Sequence, residues 1–306
     1  MLSERVYTLD TKILKLFASK GGSDPQIANA NGVKVRRIMQ ITRDFAKAPL
    51  KQLKILDLAC GEGVYAIEAA LRGAEVIASD ARTERMNEGV KAAESLGLKN
   101  LRFEQTDVRN VNVGSQGSFD VIFFLGILYH LDKSDVFAVL KNIYDMCLQF
   151  MIIDTHISLR VDDAVEYNGK TYYGQQVREH AADDSEAVRR DRALSSLDNV
   201  MSFWFTKESL FQLLNDIGFT SVCVCDVPLE PFKPQNRITI IAKKGEPVKI
   251  SSYPWVNDKS EEEIKRILGN SEQLSRQRNK ETGIKGIAKS LINDMLSFFG
   301  LEIRRL

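Results

Sequence analysis

The chain has 306 residues, 44% of them apolar and 27% charged, with a formal net charge of +1. Those proportions suit a globular protein with ample core, built as one large domain with additions or as two small ones. The near-neutral balance gives no global field favouring nucleic acid or an anionic membrane, and leaves only a local basic patch open. The four cysteines, Cys60, Cys147, Cys223 and Cys225, lack the paired CxxC spacing of a zinc site and read as buried thiols in a reducing compartment; no metal is expected. The opening MLSERVYTLDTK is charged early and has no apolar h-region, so no signal peptide is expected. No apolar run approaches the roughly 20 residues of a membrane span, and the expected location is cytoplasmic.

In chain order, residues 1–50 read as a helical segment. Within GVKVRRIMQITRDF, Val35, Ile38, Met39, Thr42 and Phe45 share one face at helical spacing, and Pro49 ends the pattern. Strands and helices then alternate. Apolar strands are expected at 53–59, 74–80, 100–107, 118–126 and 149–157, and helices at 63–72, 83–97 and 134–147. Near-continuous apolar strands joined by helices imply an α/β fold, a parallel sheet covered on both faces. Residues 158–203 break the rhythm: they are polar, rich in Asp, Arg, Tyr and Gly, and show no clear strand. A structureless loop of that length is unusual in a compact domain, so short helices folded over the sheet's open end are expected.

A helix follows at 206–218, capped by Thr206 with Glu208 and Ser209 in its first turn. Strands at 219–227 and 236–244 are joined by a link too short for a helical crossover, so they should pair antiparallel. The tail, 246–306, holds an S-x-x-E capping box at Ser260 and Glu263. Further on, Ile284, Ile287, Ala288, Leu291, Ile292, Met295, Phe298 and Phe299 form one face of an amphipathic helix. Packing on its own domain or on a second copy in a homodimer is expected of that helix ahead of peripheral membrane contact. The organisation read from the chain is a helical segment 1–50, a domain 51–245 with a cap insertion 158–203, and a helical tail 246–306.

The stretch ILDLACGEGVYA, from Ile55 to Ala66, carries the chemistry. Two glycines one residue apart, Gly61 and Gly63, follow the first strand, and ligands of open parallel sheets bind at the carboxyl ends of strands. GEGVYA satisfies G-x-G-x-x-G/A, which makes a dinucleotide a candidate. Asp57, near the end of that strand, counts against it: a carboxylate there repels a pyrophosphate and attracts a cation, such as the sulfonium and ammonium of S-adenosylmethionine. Asp80 ends the second strand and can accept both ribose hydroxyls of either ligand. Asp107, after the third strand, can accept from an adenine amine. Three acidic strand ends, with no basic residue in the glycine turn, favour a cationic adenosine ligand.

These segments resemble the class I S-adenosylmethionine-dependent methyltransferases over about residues 50–245. DLACGEG looks like their first motif, with Ala59 where many members have glycine. IASD resembles the second motif, QTDV the adenine motif, and FDVIFFLGILYHL the fourth-strand motif. The resemblance implies a Rossmann-like, seven-stranded, mostly parallel sheet with an antiparallel last strand. It also implies S-adenosyl-L-methionine as cofactor, with S-adenosyl-L-homocysteine as product. The implied cofactor site is Asp57, Ala59, Gly61, Gly63, Asp80, Ala81, Asp107, Val108, Leu125 and Gly126. LGILYHLDKSD and NVMSFWFTKESLFQLLNDIGF are similar to segments of the tRNA wobble-uridine carboxymethyltransferase-like group, which uses a carboxylated relative of the cofactor. No basic carboxylate-binding set can be matched onto the shorter N-terminal part here, so plain S-adenosylmethionine is preferred.

Methyl transfer from a sulfonium is an in-line displacement with a neutral leaving group, so alignment and exclusion of water are the main requirements. A base is needed only where the acceptor must lose a proton. Tyr129 and His130 follow the fourth strand and are expected to contact the acceptor, with His130 a candidate base; the plainer reading has Tyr129 on the cofactor and His130 capping the next helix. His156 ends the fifth strand on the same face as Asp154, as a candidate catalytic Asp–His pair or a buried structural histidine. In EYNGKTYYGQQVREH, Tyr167, Tyr172 and Tyr173 are candidate pocket walls, and Arg178, Glu179 and His180 candidate polar contacts. Tyr172, Tyr173, Arg178 and His180 are the expected substrate-binding set, against the alternative of a surface elaboration or dimer contact. Trp204 and Phe205 are expected in the core. The reading is methyl transfer to a small metabolite or saccharide. The alternatives are a tRNA acceptor, which the near-neutral charge counts against, a nicotinamide-dependent oxidoreductase, and a non-catalytic adenosine-binding module.

Overall fold

A long helix, α1 (Pro25–Phe45), precedes a regular alternation of strands and helices. The alternation runs β1 (Lys54–Leu58), α2 (Val64–Leu71), β2 (Glu75–Asp80), α3 (Thr83–Ser95), β3 (Leu101–Gln105), a one-turn α4 (Val113–Gln116), β4 (Phe119–Leu125), α5 (Val136–Met146) and β5 (Cys147–His156). An insertion contributes β6 (Asp163–Tyr167), β7 (Lys170–Arg178), α6 (Glu186–Asp191) and β8 (Met201–Phe205). The chain then returns through α7 (Lys207–Ile217), β9 (Ser221–Val224) and β10 (Arg237–Lys243). The computed structural model describes residues 25–248, apart from 193, 226, 228, 229, 231 and 232, together with residue 262. The chain divides into two units, Met1–Val248 and Lys249–Leu306, and every named element lies in the first. The first 24 residues, the capping box at Ser260 and the amphipathic face from Ile284 to Phe299 lie outside the described residues.

The central sheet has the order β3-β2-β1-β4-β5-β10-β9. Strands β1 to β5 run parallel, and β10 is antiparallel to both β5 and β9, as the short link between the last two strands requires. Strand alternation divides the core into two layers. Ile55, Val121 and Phe123 pack with Val35, Ile38 and Met39 of α1 and with Val64 and Ile67 of α2. Leu56, Leu58, Ile122 and Phe124 face the other way, onto Val136, Leu140 and Ile143 of α5 and Leu210, Leu213 and Leu214 of α7. Burying each such side chain contributes about 1.5–3 kcal/mol, so both faces of the sheet are fixed. The apolar stripe read in α1 is the one that packs, and Thr42, also buried, satisfies its hydroxyl on the Ile38 carbonyl at 2.8 Å. Among the described residues, no helix is long and apolar enough to cross a membrane.

The insertion corrects the expectation of short helices. It folds as a three-stranded antiparallel sheet, β6-β7-β8, with α6 as its single helix among the described residues. Tyr167 pairs with Lys170 across Asn168-Gly169, whose φ values of 50° and 74° make a two-residue hairpin turn. Along β7, Tyr172 and Gly174 are buried and Tyr173 is exposed, the period of a strand with one wet face. A side chain at Gly174 would run into the Trp204 carbonyl, so glycine lets β8 approach. The two ends of the insertion meet in a parallel bridge between Ser158 and Thr206.

Candidate active site

Strand order reverses between β1 and β4, and a cavity of about 270 Å³ opens at the carboxyl edge of the sheet there. Its floor is the turn after β1. Ala59, Gly61 and Gly63 take φ values of 54°, 56° and 70°, so three of five residues are left-handed and the chain bends sharply into α2. Gly61 borders the cavity, and a Cβ there would come to 2.8 Å from the Arg85 guanidinium. Gly63 has a different reason: its missing side chain makes room for the Phe103 ring beneath the turn, and it does not reach the cavity wall.

The three acidic strand ends differ in what they do. Asp57 does not reach the wall; it is 1% exposed beneath the turn, and its Oδ2 has no hydrogen-bond partner among the described residues. Burial pushes its carboxyl up to about 8, with the Ala66 N–H working against the rise and the Asp80 charge adding to it. Without a cation beside it the fold thus favours the protonated acid at Asp57. Asp80 does border the cavity, its Oδ2 accepting the Gly61 N–H and its Oδ1 the Arg82 N–H, each at 2.9 Å. Each oxygen keeps a second lone pair. Asp107 also borders the cavity but is already gripped: it accepts the Arg109 N–H at 2.9 Å and two guanidinium N–H groups of Arg109, which forks onward to Asp198 at 2.9 and 2.8 Å. Ala59, Ala81, Val108, Leu125 and Gly126 line the wall as expected.

The fold brings basic residues to the glycine turn, although none lies within it. Arg82 and Arg85 both border the cavity. Arg85 pairs with Glu62 at 3.3 Å. Arg82 donates to the carbonyls of Arg190, Arg192, Ser195 and Ser196 at 2.9–3.2 Å. Those carbonyls belong to a strap, residues 190–199, that supplies Leu194, Ser195, Leu197 and Asn199 to the cavity wall. Arg82 therefore ties the strap to the edge of the site, while Arg85 pairs with Glu62 of the turn. The strap was missed because it is polar and aperiodic; the one available signal was an arginine two residues past each of two acidic strand ends, Asp80–Arg82 and Asp107–Arg109.

Tyr129 and His130 lie in a 3₁₀ turn after β4, and both border the cavity. The Nδ1 of His130 lies 2.9 and 3.0 Å from the two oxygens of Glu179. Glu179 also accepts the Ser196 N–H at 3.0 Å, which ties this pair to the strap. The Tyr129 ring is edge-on to His156, with centroids 4.8 Å apart, and its carbonyl accepts the Trp204 indole N–H at 2.8 Å. His156 does not reach the wall. It stacks on Trp204 and meets the Asn236 side chain at 3.1 Å, and burial depresses its pKa. The expected Asp154–His156 pair does not form. β10 lies against β5, and its Arg237 and Thr239 take the Asp154 oxygens at 2.6 and 2.8 Å.

The substrate set expected from the insertion does not line the cavity. Tyr172 is 1% exposed, packs on Phe137 and donates to Asp216 at 2.8 Å; Tyr167 stacks on the same Phe137. Tyr173 and Arg178 face solvent. His180 is buried, with Nε2 at 3.0 Å from the Ser196 carbonyl, and so supports the strap from beneath. Trp204 is half-buried behind Tyr129, while Phe205 is in the core as expected. Of the stretch Arg178–His180, the residue that reaches the site is Glu179, through His130.

Residues 55–148 match the family model described as Methyltransferase domain. The chain is 27% identical over 133 residues to a ubiquinone biosynthesis O-methyltransferase of Pelagibacter ubique, covering 42% of this chain and 54% of that protein. It is 24% identical over 214 residues to the putative methyltransferase YqeM of Bacillus subtilis, covering 64% and 85% of the two chains. The match thus spans about half the length of the ubiquinone-type relative. Among solved structures, the N-terminal domain of EvdMO1 with S-adenosylhomocysteine bound superposes with a TM-score of 0.55 at 21% identity, covering 69% of this chain and 81% of that one. Magnesium protoporphyrin IX methyltransferase from Synechocystis gives 0.50 at 15%, covering 77% and 94%. The seven-stranded sheet, the glycine turn after β1 and the matched segment agree: the fold is that of the class I S-adenosylmethionine-dependent methyltransferases, and residues 55–148 carry the match to a methyltransferase domain.

Proposed function

We propose that this chain binds S-adenosylmethionine in the cavity and transfers its methyl group to a small-molecule acceptor. The observation that carries the reading is one cavity whose wall holds both Asp80 with the left-handed turn and the ring pair Tyr129 and His130. The residues fit the cofactor. The second lone pairs of Asp80 suit ribose hydroxyls, Asp107 and Val108 stand where the adenine edge is expected, and the bare backbone at Gly61 suits the amino-acid end. When bound, S-adenosylmethionine supplies an electrophilic methyl on sulfur. The protein's own share is to hold the acceptor in line and keep water out, and the strap pinned by Arg82 covers the site for that purpose. A relative named for ubiquinone biosynthesis O-methylation and a structural neighbour obtained in the presence of S-adenosylhomocysteine and D-fucose support a small acceptor.

Calorimetry with S-adenosylhomocysteine against NADH tests this directly. The thioether is expected to bind and the dinucleotide not to. Asp80→Ala is expected to weaken that binding by about 1.5–3 kcal/mol, the range of hydrogen bonds to a charged group. Binding of NADH in its place, or unchanged affinity in a folded Asp80→Ala protein, overturns the reading.

A further inference from the structure

His130 borders the cavity and Glu179 lies behind it, with both carboxylate oxygens directed at the same ring nitrogen, Nδ1. Burial pushes the Glu179 carboxyl up, but hydrogen bonding and charge from His130, with the Ser196 N–H and the Ser202 side chain, outweigh it and hold the carboxyl below its ordinary range. An ionised carboxylate accepts and cannot donate, so the shared proton belongs on Nδ1. In the neutral ring Nε2 then keeps its lone pair, and among the described residues none hydrogen-bonds it. The strap fixes the arrangement twice more, through the Ser196 N–H on Glu179 and through the Asn199 side chain, which donates to the His130 carbonyl at 3.0 Å.

We propose that Glu179 is the positioning residue that sets His130 to take a proton at Nε2, and that the acceptor is therefore a hydroxyl compound methylated on oxygen. The inference rests on the methyltransferase reading and names its substrate class. A neutral amine carries a free lone pair and needs no base at the moment of attack, whereas a hydroxyl oxygen becomes a good nucleophile only as its proton leaves. As that oxygen bonds to the methyl carbon, the carbon–sulfur bond breaks with its electron pair on sulfur, and the hydroxyl proton passes to Nε2. The imidazolium so formed is paired with Glu179 and afterwards returns the proton to water.

Nitrogen-15 NMR of the histidine rings in the full chain reads the tautomer without any turnover. The chain has three histidines, and His130→Gln assigns the signal. The expected result at neutral pH is an Nδ1–H ring at His130 that moves toward Nε2–H in Glu179→Ala. A wild-type ring protonated at Nε2, or at both nitrogens, overturns the proposal. In parallel, carbon-13 methyl-labelled S-adenosylmethionine is incubated with the full chain and a metabolite extract, and the shift of the transferred methyl shows the atom that carries it. An oxygen-bound methyl is expected, with the transfer rate down roughly 100-fold in His130→Gln and about 10-fold in Glu179→Gln, at unchanged cofactor KM. A methyl on nitrogen or carbon, or equal rates in all three proteins, sinks it. The two readings fail separately: absence of S-adenosylhomocysteine binding defeats the methyltransferase assignment with the ring tautomer intact, while a wrong tautomer defeats the dyad with binding intact.

Discussion

Ala59 sits at a φ of 54°, where a Cβ crowds the following carbonyl at a cost of about 1–2 kcal/mol. Glycine would remove that strain but gives back part of it as lost chain entropy, about 0.5–1 kcal/mol. Ala59→Gly is therefore expected to raise the urea midpoint by a net gain of about 0.5 kcal/mol; a lower midpoint would show that the methyl group packs usefully. Asp57 makes a second prediction at this scale. Its folded pKa lies above the unfolded one, so the fold favours the protonated acid. The stability this contributes is full below the ordinary carboxylate range and is lost as pH rises toward about 8. Asp57→Asn keeps the shape and cannot ionise. Its stability relative to wild type is expected to grow between pH 4 and pH 8, by roughly several kcal/mol at most, and a difference that stays flat with pH, measured by urea unfolding, would refute the buried-acid account. The acid's position at the end of β1 was legible in the sequence. Its protonation was not, because that depends on the depth of burial beneath a turn closed by distant residues.

At the scale of elements, α3 and the glycine turn are fitted to each other. Gly89 has no side chain where the Glu62 carbonyl approaches, so a Cβ there must push the helix away from the turn. Gly89→Ala is expected to cost about 1–3 kcal/mol, the range of overpacking in a tight contact, and to weaken S-adenosylhomocysteine binding as the turn shifts. Unaltered midpoint and affinity would show that the helix yields freely. The insertion was the element least legible in the chain. Its strands have one wet face, so their alternation is written in polar residues and carries little apolar contrast. The signal that was present, Asn168-Gly169 between two alternating runs, is a strong hairpin marker. Without the strands, Tyr172 reads as a pocket residue; with them, β7 turns it toward Phe137 and leaves Glu179 to meet His130.

At the scale of the molecule, the alternation of apolar strands and amphipathic helices was enough to give the layered sheet, the reversed β10 and the edge where ligands bind. Core strands state their environment directly, since both faces are dry. The wall of the cavity was half legible: residues at strand ends follow from the fold, whereas the strap and its arginine latch depend on where a polar insertion comes to rest. The bridge between Ser158 and Thr206 closes that insertion at its neck. It delimits a cassette that carries the partner of the imidazole, while the glycine turn, Asp80 and His130 itself all stay with the parent sheet. Exchanging the cassette would then change the surroundings of the imidazole and the strap side of the wall together, while the glycine turn and Asp80 stay on the sheet that both versions inherit.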